Sequence, residues 1–173
     1  MGLERTGFTN QPGELAAATG LTVEFHSLLA RGDGRYGIAL AAPERLDSAL
    51  VPLPRVAAEE PRGAVVARRG GVTFVGTHLS RSRRARAAQI EALVRLAGKL
   101  DPPIVVMGDL NQAAAGLGPL FAAGFTGPPR RPWLPARGVD HILAGPGLRV
   151  ARRRTFRTRA SDHPALAADI VVE

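Results

Sequence analysis

The chain has 173 residues, of which 45% are hydrophobic, and a formal net charge of +8. This length suits one domain with a buried core, and no apolar run approaches the roughly 20 residues that a membrane-spanning helix requires. The chain has no cysteine, which excludes disulfide frameworks, zinc fingers and other thiolate metal sites. We therefore expect a single domain over residues 1–173, cytoplasmic as written, in which any metal is bound by oxygen or imidazole.

The positive charge comes almost entirely from arginine, because Lys99 is the single lysine among 23 basic residues. Planar guanidinium groups match the geometry of phosphate, so one interpretation is attraction to nucleic acid or another polyanion. The alternative is arginine-for-lysine usage in a proteome rich in Ala, Gly, Pro and Arg. The charge is compatible with an anionic substrate without identifying it.

Strands and helices alternate along the predicted chain. In chain order we predict a helix at 11–20, strands at 21–28 and 36–42, a hairpin of strands at 63–67 and 72–77, a helix at 82–100, a buried strand at 104–107, a short helix at 116–123, a loop at 124–138 and strands at 139–143, 148–156 and 165–172. The clearest signal is the helix at 82–100, where Ile90, Leu93 and Leu100 recur at helical spacing. This mixture predicts an α/β sandwich with functional groups at strand ends.

Three motifs at the ends of apolar runs carry the residues most suited to chemistry. They are Thr77-His78-Leu79, Gly108-Asp109-Leu110-Asn111 and Ser161-Asp162-His163. Carboxylate and amide oxygens suit a hard divalent cation such as Mg²⁺, and imidazoles transfer protons near neutral pH. The pattern indicates a metal-assisted phosphoesterase.

The strand-end residues also have plainer interpretations, and for a lone histidine such as His78 this is simple packing. Asp109 and Asn111 lie two apart, so on an extended chain they share a face and converge on a phosphate or metal; the alternative is a structural turn. Asp140 begins another predicted strand and is a candidate to accept a hydrogen bond from His163 and fix its tautomer. Its alternative is a surface ion pair with an arginine.

Two further residues are candidates for phosphate binding. The Tyr36 hydroxyl, after Gly34-Arg35, can donate to a phosphate oxygen, with core packing as the alternative. Arg62 can bind phosphate as well, with a salt bridge to Glu60 as the alternative. We interpret the two remaining histidines, His26 and His141, as structural.

Taken in order, six motifs between residues 34 and 164 resemble successive signatures of the endonuclease/exonuclease/phosphatase family. They are Gly34-Arg35-Tyr36-Gly37, Glu60-Pro61-Arg62, Thr77-His78-Leu79, Gly108-Asp109-Leu110-Asn111, Val139-Asp140-His141-Ile142 and Ser161-Asp162-His163-Pro164. The resemblance implies the deoxyribonuclease I-like fold, a four-layer α/β (α+β) sandwich in which two packed mixed β-sheets are flanked by helices.

The resemblance also implies roles for individual residues. By this resemblance His78 contacts the scissile phosphate, and Asp109 and Asn111 position the phosphate and the nucleophilic water. Asp162 and Asp109 are the implied metal ligands, and His163, oriented by Asp140, exchanges protons. The implied reaction is Mg²⁺- or Mn²⁺-dependent hydrolysis of a phosphate ester, with DNA and RNA among the candidate substrates.

The sequence departs from the family pattern in two places. The family's opening strand with its asparagine, and the next strand with its principal metal-binding glutamate, have no counterpart. The segment 8–16 resembles the part of the family pattern that comes after that glutamate, so Glu4 is expected to lie too late to replace it. Ile38 stands where relatives commonly have asparagine, which is expected to leave His78 without a hydrogen-bond partner.

These departures lead us to expect an amino-terminally truncated domain with exposed sheet edges that favour self-association. The leading hypothesis is a phosphoesterase, nuclease or phosphatase, that is weak or inactive as written. The alternatives are a non-catalytic remnant that binds nucleic acid or phosphate, and a half-domain completed by another chain. A missing upstream segment would leave a secreted or membrane-tethered location open.

Overall fold

The structure is a computed structural model of the chain, and it describes residues 2, 7, 9–56, 59–127, 138–157, 159 and 161–173. Glu4 and most of the predicted loop at 124–138 lie outside these residues. None of the helices within the described ranges is long and apolar enough to cross a membrane.

The described residues form nine strands and three α-helices. The strands are β1 (Thr22–Arg31), β2 (Gly34–Ala42), β3 (Ser48–Pro52), β4 (Gly63–Arg69), β5 (Val72–His78), β6 (Ile104–Asp109), β7 (Asp140–Ala144), β8 (Leu148–Phe156) and β9 (Ala165–Val172). The helices are α1 (Gln11–Thr19), α2 (Arg83–Ala97) and α3 (Gly118–Ala122), the last preceded by a 3₁₀ turn at Ala114–Gly116. All predicted elements are present, and β3 is the strand that the sequence reasoning missed.

Five strands form the central sheet in the order β3-β4-β5-β6-β7. The β5–β6 pair is parallel and is joined through α2, whereas the other neighbours are antiparallel. In this register His78 lies beside Asp109, and Asp109 lies beside Asp140. The topology therefore brings three of the predicted site residues to one edge of the sheet.

One face of the central sheet is covered by α2 and α3. Ser82 caps α2 by accepting a hydrogen bond from the Ala85 backbone N–H, and the buried side of the helix carries Ile90 and Leu93. These side chains pack with alternate sheet residues, among them Val75, Ile104 and Val106. Burial of this apolar helix face supplies most of the stability of such a layer.

The opposite face is covered by two antiparallel ribbons, β1–β2 and β8–β9. Leu40 of β2 packs on Val65 of β4, and Val150 of β8 packs with Val105 of β6. Helix α1 contacts β1. The predicted mixed α/β fold with two packed sheet layers and flanking helices is confirmed, with the second layer built in the described residues from two separate ribbons.

Candidate active site

A close approach between two strand ends sets the backbone of the site. Gly108 has φ +134°, and a Cβ at this position would lie 1.9 Å from the Thr77 carbonyl oxygen, so only glycine fits. Beyond it, the Leu79 N–H donates to the Asp109 carbonyl at 2.9 Å, and the Leu110 N–H donates to the Val139 carbonyl at 2.9 Å. The backbone that carries Asp109 is thereby fixed between β5 and β7.

Asp109 and Asn111 form a tight turn at the end of β6. The Asn111 backbone N–H donates to Asp109 Oδ1 at 2.8 Å, and Asn111 Nδ2 donates to the Leu79 carbonyl at 2.9 Å. Asn111 has φ +48°, a left-handed conformation that asparagine tolerates better than most residues. The structural-turn interpretation is therefore correct for the backbone, and the turn holds Asp109 in a fixed orientation.

His78 lies between Asp109 and Tyr36. Its Nε2 is 3.4 Å from Asp109 Oδ2, and its Nδ1 is 3.0 Å from the Tyr36 hydroxyl. The expectation that Ile38 leaves His78 without a hydrogen-bond partner is wrong, because Tyr36 is that partner. Burial lowers the pKa of His78 below its ordinary value, and the nearby Arg62 charge lowers it further, so the neutral imidazole is favoured.

Arg62 lies behind Tyr36. Its side chain is only 8% exposed, its Nη1 donates to the Tyr36 hydroxyl oxygen at 3.3 Å, and its Nη2 donates to Glu60 Oε2 at 3.4 Å. Arg31 donates to the other oxygen of the same carboxylate. The salt-bridge alternative for Arg62 is present in the structure, and its role in phosphate binding stays a prediction.

The predicted contact between Asp140 and His163 is present. Asp140 Oδ2 lies 2.8 Å from His163 Nδ1, although the two residues are 23 positions apart. The His163 backbone N–H also donates to Ser161 Oγ at 3.1 Å. The hydrogen bond to Asp140 raises the pKa of His163 above its ordinary value, so this imidazole keeps its proton to higher pH than His78 does.

Three residues of this edge are close enough to share a metal ion. Asp109, Asp140 and His163 each offer a ligand atom, and these atoms lie within 4.8 Å of one another. Two carboxylates on adjacent strands repel each other unless a positive charge lies between them, so this oxygen-rich set fits a divalent cation. Asp162 is exposed and lies outside this group, and its predicted role as a ligand stays a prediction.

Sequence reasoning missed two residues that support the site. Gln112 comes after the Asn111 turn; its backbone carbonyl lies 2.8 Å from His141 Nε2, and its side-chain oxygen accepts from Arg86 Nε at 2.9 Å. No motif marks Gln112 or Arg86, because their contacts depend on how α2 and β7 pack around the turn.

The two histidines that were interpreted as structural both make hydrogen bonds of this kind. His26 Nε2 lies 2.8 Å from Ser48 Oγ, and His141 Nε2 contacts the Gln112 carbonyl.

The family model of the "Endonuclease/Exonuclease/phosphatase family" matches residues 5–163. Comparison with curated proteins gives no match. Three solved structures with the same fold illustrate the likeness. A functionally unknown conserved protein from Enterococcus faecalis V583 is 21% identical with a TM-score of 0.77, and the match covers 95% of this chain and 82% of that chain.

The second is the human Nocturnin catalytic domain with bound sulfate, which is 19% identical with a TM-score of 0.70 over 95% of this chain and 77% of that chain. The third is the 3′ phosphatase NExo from Neisseria bound to a product DNA hairpin, 17% identical with a TM-score of 0.63 over 92% of this chain and 83% of that chain. At these identities the structural likeness concerns the fold alone. The family model, by contrast, matches most of the sequence, and the chain therefore belongs to the endonuclease/exonuclease/phosphatase family.

Proposed function

We propose that this chain is a divalent-metal-dependent phosphoesterase, a nuclease or phosphatase, that hydrolyses a phosphate ester by in-line attack of water. The observation that carries the proposal is the convergence of Asp109, Asp140 and His163 within 4.8 Å, with His78 beside Asp109. Membership of a family named for nucleases and phosphatases supports the same reaction class.

Two acidic residues are assigned to the cation. Asp109 would hold Mg²⁺ or Mn²⁺ together with the exposed Asp162, the other predicted ligand, whereas Asp140 is assigned to His163. When bound, the cation would supply positive charge that offsets the charge developing on the phosphate oxygens. Asp109 also positions the attacking water, and Asn111 holds the turn that orients this carboxylate.

His163 is assigned to the leaving group. Its Nδ1–H donates to Asp140, which leaves Nε2 to carry the proton that the departing oxygen requires. An acid with a raised pKa is suited to this step, because it is still protonated near neutral pH. Asp140 thus orients the ring and favours its charged form.

His78 is assigned to the phosphate itself. With the Tyr36 hydroxyl on Nδ1, a neutral His78 carries its proton on Nε2 and donates it in a hydrogen bond to a phosphate oxygen. Arg62, which lies behind Tyr36, holds the phenol in place and disfavours a second positive charge on His78. Tyr36 and Arg62 therefore act on phosphate binding through His78.

Two phosphodiesters with different leaving groups test the role of His163. Bis(p-nitrophenyl) phosphate releases a stable phenolate that needs little protonation, whereas a dinucleotide ester releases an alkoxide that needs a proton. We expect His163→Ala to lower the rate on the alkoxide-releasing ester by about 10²- to 10⁴-fold and to have a smaller effect on the nitrophenyl ester. Initial rates measured with Mg²⁺ and with Mn²⁺ give the loss of activity on each ester.

His26→Gln is the matched control, because His26 is a histidine outside the site, bonded to Ser48. Its rates on both esters should equal those of the unmutated chain. Equal losses on both esters in His163→Ala would contradict the acid role. No hydrolysis of either ester by the unmutated chain, with binding of a labelled oligonucleotide, would favour the alternative of a non-catalytic phosphate-binding protein.

A further inference from the structure

Positive charge is concentrated on one hairpin outside the catalytic edge, the end of the central sheet that carries His78, Asp109 and Asp140. Residues 148–157, which include all of β8, contain five arginines and no acidic residue, and β9 contributes only Asp169. Arg152, Arg153 and Arg157 are exposed. The catalytic mechanism proposed above uses none of these residues, so this charge needs a different explanation.

One end of the β8–β9 ribbon adjoins the catalytic edge. His163, in contact with Asp140, stands two residues before β9 begins at Ala165, and Ala165 pairs with Phe156 at the end of β8. Arg153 reaches towards the same edge: its Nη2 lies 4.0 Å from the position that a Cβ on Gly138 would occupy, two residues before Asp140. The end of the ribbon that carries Phe156 therefore lies next to the site, and Arg153 lies near the start of β7.

The two faces of this ribbon carry different side chains. Arg153 pairs with Ala168 and shares its face, whereas Arg152 and Phe156 lie on the other face with Asp169 and Ala165. Phe156 is 51% exposed. A large exposed ring beside exposed guanidinium groups is the combination that binds unpaired bases and their phosphates.

We propose that the end of the β8–β9 ribbon nearest the site binds single-stranded nucleic acid, with Phe156 stacking on a base and Arg152 and Arg157 contacting phosphates. This proposal rests on the proposed function, because the surface would present the bound nucleic acid to the phosphoesterase centre. The substrate of that centre would then be a nucleic acid with unpaired bases.

The distribution of apolar side chains favours nucleic acid over a lipid surface. Membrane-surface binding needs a contiguous apolar face that enters the headgroup region. The two exposed large apolar side chains of the ribbon, Phe156 and the 74% exposed Val172, lie at opposite ends, because Phe156 pairs with Ala165 and Val172 pairs with Leu148. Val172 is seven residues from Ala165, the partner of Phe156, so at ~3.3 Å per residue the two side chains are about 23 Å apart along the ribbon and form no common insertion face.

Binding of a fluorescein-labelled single-stranded oligothymidylate, measured by anisotropy in EDTA at several KCl concentrations, tests this surface without catalysis. We expect Phe156→Ala to weaken binding about tenfold, as loss of one stacked base would. We expect Arg152→Gln and Arg157→Gln each to reduce the slope of log K against log salt by about 0.7. A duplex of the same length should bind less tightly, because its bases are already stacked.

Arg149→Gln is the matched control, since Arg149 lies on the same strand at the far end and pairs with Glu173 at 3.3 Å. It should bind the oligonucleotide as the unmutated chain does. The proposal is overturned if Phe156→Ala and Arg152→Gln bind the oligonucleotide as tightly as Arg149→Gln does. It is also overturned if anionic vesicles displace the labelled oligonucleotide more effectively than unlabelled oligonucleotide does.

Different results would contradict nucleic-acid binding by the ribbon and the phosphoesterase function. Hydrolysis of bis(p-nitrophenyl) phosphate by the unmutated chain with Mg²⁺, together with oligonucleotide binding that the ribbon substitutions leave intact, overturns the surface alone. Absence of that hydrolysis, together with binding that depends on Phe156, overturns the phosphoesterase proposal and supports the surface.

Discussion

At the scale of single residues, the two histidines of the site are placed in opposite electrostatic environments. Burial and Arg62 lower the pKa of His78, whereas the hydrogen bond to Asp140 raises the pKa of His163. Between the two pKa values His78 is neutral and His163 is protonated. This is the pair of states that the proposed mechanism requires, one imidazole donating to phosphate and the other giving up a proton.

The pH dependence of hydrolysis depends on these two directions. As the pH falls through the lowered pKa of His78, that ring gains a second proton and the rate declines. As the pH rises through the raised pKa of His163, the proton for the leaving group is lost and the rate declines again. We expect initial rates on an alkoxide-releasing diester to give a bell-shaped pH profile, bounded on the alkaline side by His163.

Asp140→Asn tests this assignment. An amide keeps the size of the side chain but removes the charge that raises the pKa of His163, so the alkaline limb should move to lower pH. The maximal rate should fall about 10- to 100-fold, as for other partners that orient a catalytic histidine. A profile of unchanged shape, measured from initial rates across the pH range, would contradict the role of Asp140.

The residues that end strands were predictable, and so was the contact of Asp140 with His163, whereas the partners of Tyr36 were not. His78 and Asp109 come after apolar runs, so short-range sequence patterns place them at strand ends, whereas His163 lies in the loop before β9. The contacts of Tyr36 with His78 and Arg62 join residues that are 42 and 26 positions apart, and they depend on how the β1–β2 ribbon packs on the central sheet. Short-range patterns carry no information on such packing, which explains why these contacts were not predicted; the roles of Tyr36 and Arg62 in phosphate binding stay predictions.

At the scale of elements, the ends of β5 and β6 are the most constrained part of the site. Gly108→Ala would place a methyl group 1.9 Å from the Thr77 carbonyl oxygen in a residue with φ +134°. Both partners are backbone, so relief requires separation of the two strands. We expect a loss of more than about 2 kcal/mol in the free energy of unfolding, measured by urea denaturation.

Gly118→Ala is the control for this substitution. Nothing lies within 4 Å of the added methyl group, and Gly118 begins α3. Its free energy of unfolding should stay within about 1 kcal/mol of the unmutated value. If Gly108→Ala is as stable as Gly118→Ala, the close approach of β5 and β6 is not as tight as described.

Elements with strong periodicity were predicted well, and those without it were not. The boundaries of β8 and β9 agree with the predicted ranges, and α2 lies within the range that its apolar spacing predicts. Strand β3 was missed because it is short, ends at Pro52 and lies at an edge of the sheet, where proline is tolerated and alternation is weak. Its pairing with β4 is a tertiary effect that local propensity does not contain.

At the scale of the whole molecule, the fold places helices, a five-stranded sheet and two ribbons in successive layers. The proposed site residues come from β5, β6, β7 and the loop before β9, and they meet at one end of the strands. The layers and this edge were predictable from alternating elements and motif order. The division of the second layer into two ribbons was not predictable, because each hairpin has the same local pattern whether or not its neighbour pairs with it.

Self-association through sheet edges stays a prediction. Sedimentation at several protein concentrations tests it.

The most direct test of the central claim is the initial rate of bis(p-nitrophenyl) phosphate hydrolysis by the unmutated chain and by Asp109→Asn, each with Mg²⁺, Mn²⁺ or EDTA. The asparagine keeps an oxygen that can accept from the Asn111 N–H, so the turn is retained while the charge is removed. We predict metal-dependent hydrolysis that EDTA abolishes and that falls at least about 100-fold in Asp109→Asn. Equal rates in the two proteins, a rate that resists EDTA, or no hydrolysis by the unmutated chain would contradict the claim.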